Sequence, residues 1–388
     1  MFSPKTAPAV VPSISLPSFP SRLVHRFLIF SSFIVILHFL RLHKSFGGWH
    51  PETTQYKTYS ACDALRPSDL NDTLVIMKTG ANEAPDKLPV HFDTTLRCVP
   101  HYVVYSDLNE TVEGHQVYDA LDEVNPEIKT THPDFRYYQA LQAEGRAAFT
   151  NDQLMEWATA GNTGLGRNTP GWKLDKWKFL PIADKAYRQK PDAKWFVFLE
   201  ADTYIIWRNM VAWLAQFDAS KPYYLGMQMQ VAGQVFGYGG AGFVLSNSAL
   251  KRLVEYHNEN LEYWDWLTGK HWAGDCVLGQ ALKKAGIELT FSWPNLASEN
   301  PVDMNFNATF GGKGEFWCHY ATTYHHLTPQ EIVEFSEFER DWNQVIEHLL
   351  PTSPSFLSYP FTHVYMGRLK TESHGTDRDH VEIWHAPA

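Results

Sequence analysis

Residues 195–204 read Trp-Phe-Val-Phe-Leu-Glu-Ala-Asp-Thr-Tyr. Five apolar side chains run without a break and end abruptly in two acids, Glu200 and Asp202, one residue apart. A short continuous apolar run rich in aromatic and β-branched residues fits a strand buried on both faces, as in a parallel sheet. Side chains alternate along a strand, so the two acids share a side if the strand persists. Open α/β sheets bind ligands beyond the carboxyl ends of their strands. A carboxylate pair there can hold Mg²⁺ or Mn²⁺, which take oxygen ligands and bridge to diphosphates. The plain alternative is an acidic cap on a strand end.

Upstream, Thr-Leu-Val-Ile-Met-Lys-Thr-Gly from Thr73 reads as a second buried strand. Cys-Val-Pro-His-Tyr-Val-Val-Tyr-Ser-Asp from Cys98 reads as a third, ending at Ser106 and Asp107. Helical spacing is expected over residues 91–96, 136–160 and from Leu174 onward, with a Gly-rich loop from Gly161. Downstream, residues 223–231 and 239–246 read as strands, and a helix is expected from Asn247 to about His257. The segment around Asp275 reads as a loop entering a helix, and Thr328-Pro-Gln-Glu as a helix start. Strands alternating with helices give an α/β class with a mainly parallel central sheet.

The N-terminus sets the compartment. Residues 1–20 are rich in Pro and Ser. An apolar run starting at Phe27 follows, flanked by Arg22, Arg26, Arg41 and Lys44. It is short against the roughly 20 residues of a bilayer span, but basic ends can reach the interface. A cleaved signal peptide would want small residues after the run, and Arg-Leu-His-Lys stands there instead. The reading is an uncleaved transmembrane signal anchor over 23–42, with a cytoplasmic tail over 1–22. Sequons at Asn71, Asn109 and Asn307 favour a lumenal body. The chain is thus expected to be a single-pass type II protein of the Golgi or another secretory-pathway membrane.

The bulk numbers exclude several classes. A hydrophobic fraction of 44% with 14 Trp rules out a disordered chain. So many aromatics suit carbohydrate surfaces as well as ordinary core packing. The net charge of -10 lacks the basic surface that nucleic-acid binding needs. Cys62, Cys98, Cys276 and Cys318 form no CxxC pair, so zinc-ribbon and thioredoxin-type motifs are absent. Their even number permits two disulfides, with three pairings open.

Four blocks in order carry a resemblance. They are residues 195–207, then Tyr-Gly-Gly-Ala-Gly-Phe-Val-Leu-Ser from Tyr238, Gly-Asp-Cys-Val-Leu-Gly from Gly274, and Thr-Tyr-His-His-Leu-Thr-Pro from Thr323. Together, over roughly residues 73–330, they resemble glycosyltransferase family 31, which includes Fringe and the core 1 β-1,3-galactosyltransferase. The resemblance implies a GT-A fold, a UDP-sugar donor, Mn²⁺, inversion at the anomeric carbon and a glycan or glycoprotein acceptor. A GT-A-like catalytic domain is then expected over 71–345, after a stem at 43–70 and before a C-terminal extension at 346–388.

The resemblance also implies roles for individual residues. Asp202 matches the last Asp of the family's DDD motif, the direct metal ligand. Glu200 and Ala201 replace the first two, a departure that puts donor preference in doubt. His325 matches a late metal-binding His, with His326 as the neighbouring alternative. Asp275 matches the acid used as base, and it also reads as a helix N-cap. Thr79 and Asp107 are expected near the nucleotide. Gly240 allows close backbone approach to a ligand, or marks a tightly packed strand. Lys176, in the cluster Trp172, Asp175, Lys176 and Lys178, offsets diphosphate charge or belongs to a solvated helix face. The opposing reading is a catalytically silent sugar- or partner-binding protein on the same scaffold.

Overall fold

The computed structural model describes residues 70–161, 169–305 and 319–349. Its centre is an eight-stranded sheet in the order β11-β7-β10-β5-β1-β2-β4-β3. The strands are β1 (Thr73–Lys78), β2 (Tyr102–Ser106), β3 (Glu110–Val112), β4 (His115–Asp119), β5 (Trp195–Glu200), β7 (Tyr224–Gly226), β10 (Phe243–Ser246) and β11 (Leu289–Phe291). Two small pairs stand apart, β6 (Tyr204–Ile205) with β12 (Thr323–Tyr324) and β8 (Gln228–Val231) with β9 (Gln234–Gly237). Four of the seven pairings in the large sheet are parallel: β1 with β2, β1 with β5, β2 with β4, and β7 with β11. The expected α/β class with a mainly parallel sheet therefore holds, interrupted by β10, which runs antiparallel to both neighbours.

The period of two along β1 and β5 decides which face each residue covers. Leu74, Ile76, Phe196 and Phe198 join one buried cluster, whereas Val75, Met77, Val197 and Leu199 join the other. Helices Phe135–Glu144, Phe179–Gln189, Asn247–Glu259 and Gly274–Lys284 supply side chains to the first cluster. Helices Ala84–Asp93 and Trp207–Leu214 supply the second. Each fully buried aliphatic or Phe side chain contributes about 1.5–3 kcal/mol of transfer free energy. A doubly covered sheet explains why β1 and β5 are apolar at successive positions.

Local differences have physical causes. The expected helix over 136–160 is two helices, Phe135–Glu144 and Asn151–Gly161, separated at Gly145, whose φ of 62° breaks the first. The helix anticipated over 91–96 starts earlier, at Ala84, with Pro in its first turn. Cys276 is free and fully buried against Phe236 and Ala273, so the two-disulfide option fails. Asp275 does not cap its helix: Ala273 holds the N-cap position, and Asp275 lies inside the first turn.

Among the described residues no helix is long and apolar enough to cross a membrane. The expected anchor over 23–42, the Asn307 sequon, Cys62 and Cys318 lie outside them. The last helix, Pro329–Leu349, continues past the expected domain end at 345.

Candidate active site

β5 delivers Glu200 at its last residue, and a tight turn follows, with Thr203 N–H donating to the Glu200 carbonyl at 3.0 Å. Asp202 sits in that turn, buried. Its Oδ1 lies 3.1 Å from His325 Nε2, and Glu200 Oε2 lies 3.9 Å from the same nitrogen. The two acids thus converge on one imidazole, although the strand stops between them. Ala201 points away into the second core cluster. Its carbonyl accepts a 2.9 Å hydrogen bond from His91 Nε2, while His91 Nδ1 accepts from Thr95 Oγ1 at 3.0 Å. Burial pulls His91 down to about 4, so the ring is neutral and fixed in the Nε2–H tautomer.

His325 follows β12, whose pairing with β6 brings the distant segment beside Asp202. Leu327 N–H donates to the Asp202 carbonyl at 3.0 Å, fastening the loop from its other side. His326 adopts a φ of 61°, rare for a residue with a side chain. That twist brings two consecutive imidazoles to 3.9 Å between centroids. Asp202, His325 and His326 each offer one ligand atom within 4.8 Å of the others. One carboxylate oxygen with imidazole nitrogens is a donor set suited to Mn²⁺-type ions. Gly240 leaves the space that the His325 ring occupies, since a Cβ there would stand 2.2 Å from His325 Cε1. The residues therefore fit a divalent cation. Burial opposes charge on Asp202, but His325 and the Lys87 ammonium, 3.3 Å from Oδ2, outweigh it and hold the carboxyl well below its ordinary range.

Asp275 is linked to the Glu200 region through Gly239, where a Cβ would stand 3.2 Å from Glu200 Oε1. Its Oδ2 accepts from Gly239 N–H at 3.0 Å and its Oδ1 from Cys276 N–H at 2.8 Å. Burial pushes its carboxyl up to about 6, against those two hydrogen bonds. The Phe179 ring packs beside Gly239 and Gly274. A Cβ at Gly239 would stand 3.1 Å from it and one at Gly274 2.5 Å, and Lys78 Nζ lies 4.6 Å from its centroid. Lys78 also pairs with Glu200 Oε1 at 3.1 Å and Asp175 Oδ2 at 2.6 Å.

The segment 68–299, which contains this sheet and both Asp202 and Asp275, matches the Fringe-like family. The chain belongs to the Fringe-like family of glycosyltransferases. It is also similar to a curated Xenopus laevis protein, glycoprotein-N-acetylgalactosamine 3-beta-galactosyltransferase 1. The two are 26% identical over 201 residues, covering 45% of this chain and 52% of the relative. The chain thus spans about half the length of that relative. His325 lies beyond the matched family segment.

Within this Fringe-like domain the remaining expected residues fall in three places. Thr79 and Asp107, both buried, follow β1 and β2 side by side. Ala81 N–H donates to Asp107 Oδ1 at 2.7 Å, and Lys178 Nζ donates to the Thr79 carbonyl at 2.8 Å while lying 3.4 Å from Asp107. Lys176 turns elsewhere: its ammonium lies 2.8 Å from Asp134. Asn71 and Asn109 are exposed, as sequon residues must be for modification.

Sequence reasoning passed over Lys78, Lys87 and His91. A signal for two of them was present. Glu83, Lys87, His91 and Thr95 recur every four residues, which makes one stripe along a helix. That stripe faces the Asp202 turn.

Proposed function

We propose that this protein is an inverting, metal-dependent glycosyltransferase that moves a sugar from a UDP-sugar to a hydroxyl of a glycan or glycoprotein. One observation carries the reading. Asp202 and His325 meet at 3.1 Å beside Glu200, while Asp275 pairs with neither and is bound only to backbone N–H groups among the described residues. The first pair suits a cation at a diphosphate, and the solitary acid suits proton abstraction.

Asp275 takes the acceptor hydroxyl proton as that oxygen attacks the anomeric carbon opposite UDP. The bond from that carbon to the UDP oxygen breaks, and its electron pair leaves with the diphosphate. Backbone N–H groups of Gly239 and Cys276 hold the carboxylate in one orientation. Asp202 and His325 would hold the cation, Mn²⁺ or another divalent ion, and His91 fixes the turn that carries Asp202. A cation held there would supply neutralisation of the charge developing on the leaving UDP. Thr79 and Asp107, both buried, shape the strand ends on the nucleotide side; Glu200, with Gly239 beside it, borders the donor sugar, and Gly240 makes room for His325.

The relative's name describes galactose transfer to N-acetylgalactosamine in a glycoprotein. We take a β-1,3 linkage and that donor–acceptor pair as the first to test. Exposed sequons at Asn71 and Asn109 and a disulfide-bonded Cys98 support a secretory-pathway lumen. A type II Golgi anchor over 23–42 completes the proposal.

The test is UDP release from a panel of UDP-sugars by the full-length protein in detergent, with Mn²⁺ or chelator, beside Asp202→Asn. Metal-dependent release lost in the variant is expected. A second reading has its own observation: Lys87 already neutralises Asp202, and Ala201 supplies no acid. A folded protein that binds UDP-sugars or glycans without turnover would establish that silent binding role.

A further inference from the structure

Two tryptophans lie on segments that flank the Asp275 end of the site. Trp172 lies in the short helix Pro170–Asp175, and Trp272 in the turn that leads into the Asp275 helix. Their ring centroids are 6.0 Å apart with planes within 14° of parallel. His271 extends the row, 6.2 Å from Trp272 at 15°. Trp272 remains 45% exposed, a large apolar surface facing water.

The place of this row ties it to the site. Gly274 packs so tightly on the backbone of Lys176 that a Cβ there would stand 2.6 Å from Lys176 Cα. The same Cβ would strike Phe179, the ring that packs beside Gly239. On the other flank, Gly171 lies against Asn82, beside Thr79 and Asp107. The pair therefore spans from the nucleotide side to the Asp275 side. Trp272 precedes Asp275 by three residues, so their Cα atoms are at most roughly 10 Å apart by chain reach. That is a distance of about one or two sugar rings. Turn residues 271–273 are also pinned, because Ala273 N–H donates to His271 Nδ1 at 3.0 Å.

We propose that Trp172 and Trp272 form the acceptor subsite, stacking on the apolar C–H face of a pyranose ring whose hydroxyl is presented to Asp275. The inference rests on the transferase reading for the identity of its ligand. Aromatic faces bury large area with little rotamer entropy, and a pyranose offers a flat C–H surface of matching width. No charged side chain is needed, which fits a neutral sugar.

The experiment uses the full-length protein and its Trp272→Ala, Trp172→Ala and Trp272→Phe variants. Methyl α- and β-glycosides of galactose, N-acetylgalactosamine and N-acetylglucosamine serve as acceptors, since an aryl glycoside would stack by itself. Saturation-transfer NMR measures glycoside binding, and steady-state kinetics measure both substrates. Each alanine variant should raise the acceptor KM at least tenfold, leave the UDP-sugar KM within twofold and lose the glycoside NMR signal. Trp272→Phe should restore much of both. Glycoside contact in the wild type without any turnover, lost in the alanine variants, would overturn the transferase reading and support the platform. Turnover with an unchanged acceptor KM, or a rise in the donor KM instead, would overturn the platform. No glycoside contact in the wild type would also overturn it.

Discussion

Gly240 and His325 exclude each other's side-chain space: a Cβ at 240 would stand 2.2 Å from His325 Cε1 and 2.6 Å from Nδ1 and Nε2. The imidazole that meets Asp202 is thereby held in place by the absence of a methyl group. Thr203 Oγ1 donates to the Gly240 carbonyl at 2.8 Å, which keeps the glycine backbone from retreating.

Gly240→Ala should therefore displace His325 rather than the turn that carries Gly240. Overpacking of this kind costs about 1–3 kcal/mol. A fall in Tm together with at least a tenfold weaker Mn²⁺ dependence of UDP binding is expected. An unchanged metal dependence would mean that His325 can leave without consequence.

Asp275→Asn should lower kcat by roughly 10²–10⁴-fold, the usual contribution of a general base, with UDP affinity nearly unchanged. In the wild type, turnover should fall as pH drops through about 6, where Asp275 gains its proton. Stability runs the other way. The folded carboxyl is raised from 3.8 to about 6, so its stabilising effect is complete below 3.8 and lost as pH rises through 6. The variant should consequently gain up to roughly 3 kcal/mol over wild type at pH 7 but not at pH 3.5. Urea midpoints at the two pH values check the sign.

His91→Phe should leave the Ala201 carbonyl and the Thr95 hydroxyl without their partner. Each unsatisfied buried group costs about 1–3 kcal/mol. The expected signature is a lower urea midpoint with weakened Mn²⁺-dependent UDP release, because the turn carrying Asp202 loses its anchor. Loss of stability with wild-type metal dependence would reduce His91 to a packing residue.

Lys178→Met should destabilise by about 3–5 kcal/mol, since it leaves the wholly buried Asp107 without its cation. The double variant Lys178→Met with Asp107→Asn should recover part of that loss. Denaturant unfolding of both measures the recovery, and equal stability of single and double variants would show that the pair is uncoupled.

Legibility followed burial. β1, β2 and β5 lie in the sheet interior, where continuous apolar runs are required, and all three were readable. The hairpin β3–β4 and strand β9 were not, although β8 falls inside the expected strand segment 223–231. These three strands have three to five residues with mixed exposure, so neither an apolar run nor a clear alternation marks them. The sequence around Lys178 fits a solvated face or a diphosphate contact, yet the side chain is 1% exposed, bonded to the Thr79 carbonyl and beside Asp107. A lysine's own neighbours in sequence do not reveal a carboxylate delivered by another strand.

The sequence alone determined the interior strands β1, β2 and β5 and the position of two acids where β5 must end, because hydrophobic periodicity is a local property of the chain. Whether Asp275 caps its helix, which lysine neutralises Asp202, and how closely the histidine after β12 approaches it were decided by tertiary structure. Those contacts depend on how the β6–β12 pair and the Gly240 segment pack against β5. Electrostatic partners act through space, and their spacing along the chain carries no trace of that distance.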